Sequence, residues 1–171
     1  MDFTDEIPAE RTGKELRAAG LTIACAESCT GGLLTSMLTD VSGSSSYDIA
    51  GSSSYVMGSV VSYSNDVKAR VLHVSEETLA VYGAVSEETA REMAQSVRKL
   101  IHADIGVGIT GIAGPDGGST EKPVGLVYIA VADQTHTGVQ KNNFHGTRFE
   151  NKQAAVHKAF AMICDIIRGV I

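Results

Sequence analysis

The sequence predicts a three-layer α/β/α sandwich around a mostly parallel or mixed central sheet, and three observations carry that prediction. Apolar runs at 21–26, 105–110 and 124–132 are hydrophobic on both faces, as strands covered by helices on each side must be. Segments with helical spacing of apolar residues alternate with them. Glycine-dense turns follow two of the strands directly, at 27–32 and 111–118, where open α/β sheets gather their ligands. At 171 residues the chain fits one domain over 1–171, long enough to bury a core and too short for a second full domain.

Taken in order, a helix is expected over 8–19, stopped by Gly20. The run LTIACA reads as a buried strand, breaks at ESCTGG and resumes as a helix from Leu33. Such a junction leaves amides at the helix start without intrahelical partners. Gly31 and Gly32 allow positive φ and close approach of a ligand. A hydroxyl at the turn would sit beside donors able to stabilise an oxyanion, which makes Ser28 and Thr30 the first candidates for chemistry. The pentapeptide GSSSY then occurs twice, beginning at Gly43 and at Gly51, too short a repeat for a solenoid and read here as a local duplication in a Ser-rich loop.

Residues 59–63 form a short strand candidate, after which Asn65 or Asp66 is expected to cap a helix carrying Lys68 and reaching Leu72. Ser75 and Ser86, each followed by two glutamates, are further helix starts. Gly83 ends the first of these helices. The second leads into a core-facing stripe of Met93, Ala94, Val97, Leu100 and Ile101. In IGVGIT, at 105–110, each glycine removes a side chain from one face of a strand, so that a helix or a ligand can come close. A strongly apolar strand at 124–132, a more polar one at 139–145 nearer an edge, and a helix over 149–168 complete the pattern.

Composition excludes several functions. Lys plus Arg number 14 against 20 for Asp plus Glu, a formal charge of −6, and with no Trp and no basic cluster this argues against a nucleic-acid surface. A small anion remains compatible, because a helix start and one arginine can hold a phosphate. No apolar run is long enough to span a bilayer and no export signal opens the chain, so a soluble, cytoplasmic protein is expected. The three cysteines are expected to be thiols, with no Cys/His cluster spaced for a metal.

The glycines Gly106, Gly108 and Gly111 spell GxGxxG, but Pro115, Gly117 and Gly118 stand where a helix should follow the third directly, which argues against the dinucleotide reading. There is no GxxxxGK[ST] loop, and ESCTG is not the GxSxG of a hydrolase elbow. None of the five histidines sits in a suggestive turn. A lysine is the other means of activating a serine, because a desolvated ammonium gives up its proton more readily. Lys68 follows a short strand closely and is the candidate, although its spacing more often marks a solvated helix lysine.

The stretches AESCTGG, YSNDVKARVL, YGAVSEETAREMA and GITGIAGPDGGSTEKPVG together resemble the C-terminal domain of the competence/damage-inducible protein CinA, over roughly residues 12–160. Stand-alone members of that family are nicotinamide-nucleotide amidohydrolases, which hydrolyse the carboxamide of nicotinamide mononucleotide to nicotinate mononucleotide and ammonia. The resemblance implies an anticodon-binding-domain-like α/β fold, no metal and no organic cofactor, and association as a homodimer or higher homo-oligomer. Full-length members often carry an additional N-terminal pyrophosphatase-type domain, for which this chain is expected to have no room.

Residue by residue, the resemblance makes Ser28 the nucleophile, Lys68 its general base and Tyr63 an assisting hydrogen-bonding group. Thr30, Gly31 and Gly32 would supply oxyanion or phosphate donors, and Thr110, Gly111 and Arg148 would contact substrate. A serine of the GSS segment is also implied, and the duplication makes Ser45 and Ser53 competing candidates. Cys29 is a lesser candidate nucleophile. The duplicated octad is the main departure from the family pattern: were it to shift the strand leading to Tyr63, Lys68 would no longer reach Ser28. A phospho-ligand-binding module of the same fold without catalysis is the alternative that this departure motivates.

Overall fold

The computed structural model describes residues 7–41 and 51–171. Its elements are α1 (Pro8–Ala19), β1 (Ile23–Glu27), α2 (Leu33–Thr39), a 3-10 turn (Ser52–Ser54), β2 (Val56–Val61), α3 (Asn65–Arg70), α4 (Glu76–Val81), α5 (Glu87–Ile101), β3 (Ile105–Gly111), β4 (Leu126–Ala132), β5 (Thr137–Asn143) and α6 (Arg148–Ile167). The sheet is mixed, in the order β2-β1-β3-β4-β5. Strand β1 runs parallel to both β2 and β3, whereas β4 and β5 are antiparallel.

Strand alternation sorts the core into two layers. Ile23 and Cys25 of β1, with Ile105, Val107 and Ile109 of β3, pack among residues of α1, α2 and α6. Ala24 and Ala26 point the other way, toward Met93 and Val97 of α5. The strand glycines belong to this second face: a Cβ on Gly106 would lie 2.1 Å from the Ala94 carbonyl oxygen, and one on Gly108 would lie 2.4 Å from that of Ala90. It is therefore a helix that these two glycines admit, while a Cβ on Gly111 would meet β4, 2.6 Å from the Leu126 carbonyl oxygen, so packing accounts for all three glycines of GxGxxG.

Local capping fixes where the helices begin. Ser64, Ser75 and Ser86 each accept a hydrogen bond from an amide in the first turn of α3, α4 and α5. Thr147 and Glu150 form a reciprocal capping box at the start of α6. Some boundaries differ from expectation. The cap of α3 is Ser64 instead of Asn65 or Asp66, and β2 begins at Val56, before the expected Ser59. Leu100, expected in the core, is 42% exposed, whereas Ile101 in the same turn packs against the cluster of Ala24, Ala26, Met93 and Val97.

The second GSSSY copy forms the 3-10 turn and delivers buried Tyr55 against Gly13 of α1. The Tyr55 carbonyl accepts the Ile23 amide at 2.8 Å, and from there β2 pairs with β1 through Glu27↔Val61, with one irregularity between Ile23 and Ala24. The first copy lies outside the described residues. Among the described residues, no helix is long and apolar enough to cross a membrane.

Candidate functional site

A crevice of about 260 Å³ opens beyond the carboxyl ends of β1, β2 and β3, and its lining includes Ser28, Cys29, Tyr63, Lys68, Thr110, Gly111, Asp116 and Arg148. The turns after β1 and β3 thus meet in one place, as the positions of their glycines predict. Ser28 sits immediately past β1, its amide donating to the Ile109 carbonyl at 2.9 Å, which extends the strand ladder by one residue and fixes the backbone from which the hydroxyl projects.

Helix α3 brings Lys68 to that hydroxyl. The lysine is 1% exposed, and its Nζ donates to Ser28 Oγ at 2.9 Å, to the Ser62 carbonyl at 2.6 Å and to the Tyr63 carbonyl at 3.5 Å. An ammonium has three hydrogens for these three acceptors. A neutral amine keeps two for the carbonyls and turns its lone pair toward the hydroxyl, so the geometry serves both protonation states. Burial pushes the Lys68 ammonium below the ordinary lysine range, with the neighbouring Cys29 sulfur opposing the shift. Burial also pushes the Cys29 thiol up to about 12, which leaves no useful thiolate near neutrality.

The opposite rim carries the remaining polar groups. The exposed Arg148, on the first turn of α6, donates through Nη1 to the Gly114 carbonyl at 2.6 Å and through Nη2 to the Tyr63 hydroxyl at 3.0 Å. Thr110 Oγ1 donates to the Ala84 carbonyl at 2.6 Å, tying the end of β3 to the turn before α5. Buried Asn151 holds the glycine-rich loop to α6, its Nδ2 donating to the Ala113 carbonyl at 3.0 Å.

Several expected contacts lie elsewhere. The Tyr63 phenol is paired with Arg148 and makes no hydrogen bond to Ser28 or Lys68; only its backbone carbonyl meets the amine. The hydroxyl of Thr30 points inward and donates to the Glu27 carboxylate at 2.7 Å, because Thr30 is fully buried and that carboxylate requires partners. Gly31 and Gly32 have φ values of 61° and 102° and serve the turn itself, outside the crevice lining. Ser53 lies before β2, at the other end of that six-residue strand, about 20 Å from the crevice at the usual strand rise. Ser45 lies outside the described residues.

Sequence reasoning passed over Glu27, Asn151 and Asp116. For Glu27 a signal existed: a carboxylate closing an otherwise apolar strand has to find partners or stay out of the core. Among the described residues no group of three or more His, Cys, Asp or Glu side chains is arranged to hold a metal ion.

The profile of the CinA C-terminal domain matches residues 5–48 and 47–167, the two pieces meeting inside the duplicated segment. A putative competence-damage inducible protein of Desulforudis audaxviator is 45% identical over 159 residues, covering 93% of this chain, which spans 37% of that relative's length. The crystal structure of a competence/damage inducible protein from Agrobacterium tumefaciens superposes with a TM-score of 0.86 at 39% identity, covering 94% of this chain and 93% of that one. A CinA superfamily protein from Klebsiella pneumoniae gives a TM-score of 0.86 at 33% identity, with coverage of 95% and 96%. On sequence and fold together, the chain belongs to the CinA C-terminal domain family.

Proposed function

We propose that the chain is an amidohydrolase that converts nicotinamide mononucleotide to nicotinate mononucleotide and ammonia. The observation carrying this proposal is the 2.9 Å separation between a desolvated lysine amine and a serine hydroxyl at the floor of an open crevice. Lys68 in its neutral form takes the proton of Ser28 as Oγ bonds to the carboxamide carbon, and the carbonyl oxygen becomes an oxyanion. The amide of Cys29, a residue of the crevice lining whose N–H no described backbone acceptor takes, is a candidate donor for that charge. Collapse of the intermediate breaks the C–N bond, with the proton on Lys68 passing to the departing nitrogen to give ammonia. Water then attacks the acyl ester, Lys68 again receiving the proton, and the acid is released with the Ser28 hydroxyl restored.

Arg148 supplies the crevice with a cation suited to the substrate phosphate, held in place by Gly114 and Tyr63 until a ligand competes for it. The pairing of β1 with β2, in which Glu27 is opposite Val61, supports this reading in spite of the duplicated octad, because it holds the end of β2 beside the turn that carries Ser28. Ammonia release from nicotinamide mononucleotide, without added metal and abolished in Ser28→Ala, is the expected result. Tight nucleotide binding with no release at high protein concentration would replace this function with that of a non-catalytic binding module.

A further inference from the structure

Glu27 stands next to the candidate nucleophile and is fully buried, yet the chemistry above makes no use of it. Its carboxylate accepts four hydrogen bonds. Oε1 takes the Thr30 hydroxyl at 2.7 Å and the Leu34 amide at 2.9 Å, while Oε2 takes the Thr35 amide at 3.0 Å and the Thr35 hydroxyl at 2.8 Å. Helix α2 has Gly32 at its N-cap, with no side chain capping it locally. The carboxylate at the end of β1 does that work from the far side of the turn, joining strand end and helix start and gripping the turn at Thr30 between them.

The backbone of the same residue references the other half of the dyad. The Glu27 carbonyl accepts the Ser62 amide at 2.9 Å, and the Ser62 carbonyl in turn accepts Lys68 Nζ at 2.6 Å. Ser28 is thus bracketed by a residue that fixes both its own turn and the strand end on which the lysine leans. A buried carboxylate is a costly way to start a seven-residue helix when a serine cap would suffice, as at α3, α4 and α5. A side-chain cap at position 32 would leave the Thr30 hydroxyl, in the middle of the turn, without the partner that Glu27 gives it.

We infer that Glu27 is a positioning residue, which clamps the turn after β1 so that the Ser28 hydroxyl stays within proton-transfer reach of Lys68. The inference rests on Ser28 being the activated hydroxyl, and its test does not need the nucleotide. The second-order rate at which a fluorophosphonate labels Ser28 reads the alignment of the dyad directly, with Ser28→Ala as the blank. Glu27→Gln keeps the shape but must turn an N–H toward a donor, and it should label about 10- to 100-fold more slowly, the range that a displacement of an ångström produces.

Because that variant can lose its fold, a matched pair guards the test. Thr30→Val and Thr35→Val each delete one hydroxyl bond to the same carboxylate, and Thr35→Val also loses the bond to the Ser59 hydroxyl at 2.9 Å, so it should lower the melting temperature at least as much. Only Thr30 lies inside the turn, so Thr30→Val should slow labelling about 3- to 10-fold while Thr35→Val stays within about twofold of wild type. With nucleotide as substrate, kcat should follow the same order and KM should hardly move. Equal labelling in Thr30→Val and Thr35→Val, or wild-type labelling in folded Glu27→Gln, would overturn the clamp. A wild-type Ser28 inert to the probe would overturn the clamp together with the activated serine. Rapid labelling without ammonia release from the nucleotide, with the predicted order kept, would support the clamp and remove only the substrate.

Discussion

Replacing Lys68 with methionine keeps an unbranched stem in a site that is 1% exposed and removes the nitrogen that touches Ser28 Oγ, the Ser62 carbonyl and the Tyr63 carbonyl. The rate effect should be large. Loss of a positioned general base costs about 10²- to 10⁴-fold, or about 3 to 5 kcal/mol of transition-state stabilisation. The stability effect should be small, because the lost bond to the Ser62 carbonyl, about 1 to 3 kcal/mol, is offset by no longer burying an amine.

Ammonia release followed by a coupled assay, at equal concentrations of folded protein, measures the first; chemical denaturation measures the second. In the wild type, kcat/KM should rise with pH and level off below the ordinary lysine value of 10.5, because the proposed base is the neutral amine and burial lowers its folded-state pKa. Linkage has a definite sign here. Between the lowered folded value and 10.5 the unfolded chain binds more protons than the native one, so wild-type stability rises with pH across that window, and the penalty of burying the charge is complete below it. The stability of Lys68→Met relative to wild type should therefore be most favourable in acid and decline as pH approaches 10.5. A folded variant retaining more than about a tenth of wild-type turnover would refute the role of the amine, and a relative stability that climbs with pH would refute its desolvation.

Arg148→Ala should raise KM for the phosphate-bearing nucleotide about tenfold or more with little change in kcat, and leave any turnover of phosphate-free nicotinamide unchanged; equal losses on both amides would deny it the phosphate. Cys29→Ala should keep full activity, and alkylating agents should leave wild type active near neutrality, since the thiol is pushed up to about 12; inactivation in either experiment would reinstate the thiol. Gly108→Ala would drive a methyl group to 2.4 Å from the Ala90 carbonyl, separating α5 from β3, and should destabilise by about 1 to 3 kcal/mol or more. A loss below about 0.5 kcal/mol in urea denaturation would mean that the helix is not seated on that glycine.

The elements whose signals are local were legible in advance. Serines followed by paired glutamates at 75 and 86 read as helix starts, and each proved to cap the first turn that follows it. The stop at Gly20 lies in the left-handed region, where the C-terminus of α1 ends. Even the glycine alternation in β3 was informative, although the sequence left open whether a helix or a ligand came close, and the carbonyls of Ala90 and Ala94 answer that it is a helix.

Contacts between distant segments were not legible. Whether Lys68 faced water or Ser28 depended on the rotation of the short helix α3 about its axis and on the pairing of β2 with β1, 40 residues apart in the case of the dyad. The same tertiary accounting turned Thr30 inward, since a buried Glu27 carboxylate required donors, and drew the Tyr63 hydroxyl to Arg148 across 85 residues. Ser53, one of the two substrate-contact candidates that the resemblance offered in the GSS segment, lies apart because β2 runs away from it toward the crevice.

The sequence by itself determined the alternation of strands and helices, the sharp turn after β1 and the residue types gathered there, because periodicity and capping act over a few residues. Only the tertiary structure decided which of those side chains meet. The direction of a side chain at a crevice follows from strand register and helix phase, and both are fixed by the burial of apolar faces far along the chain.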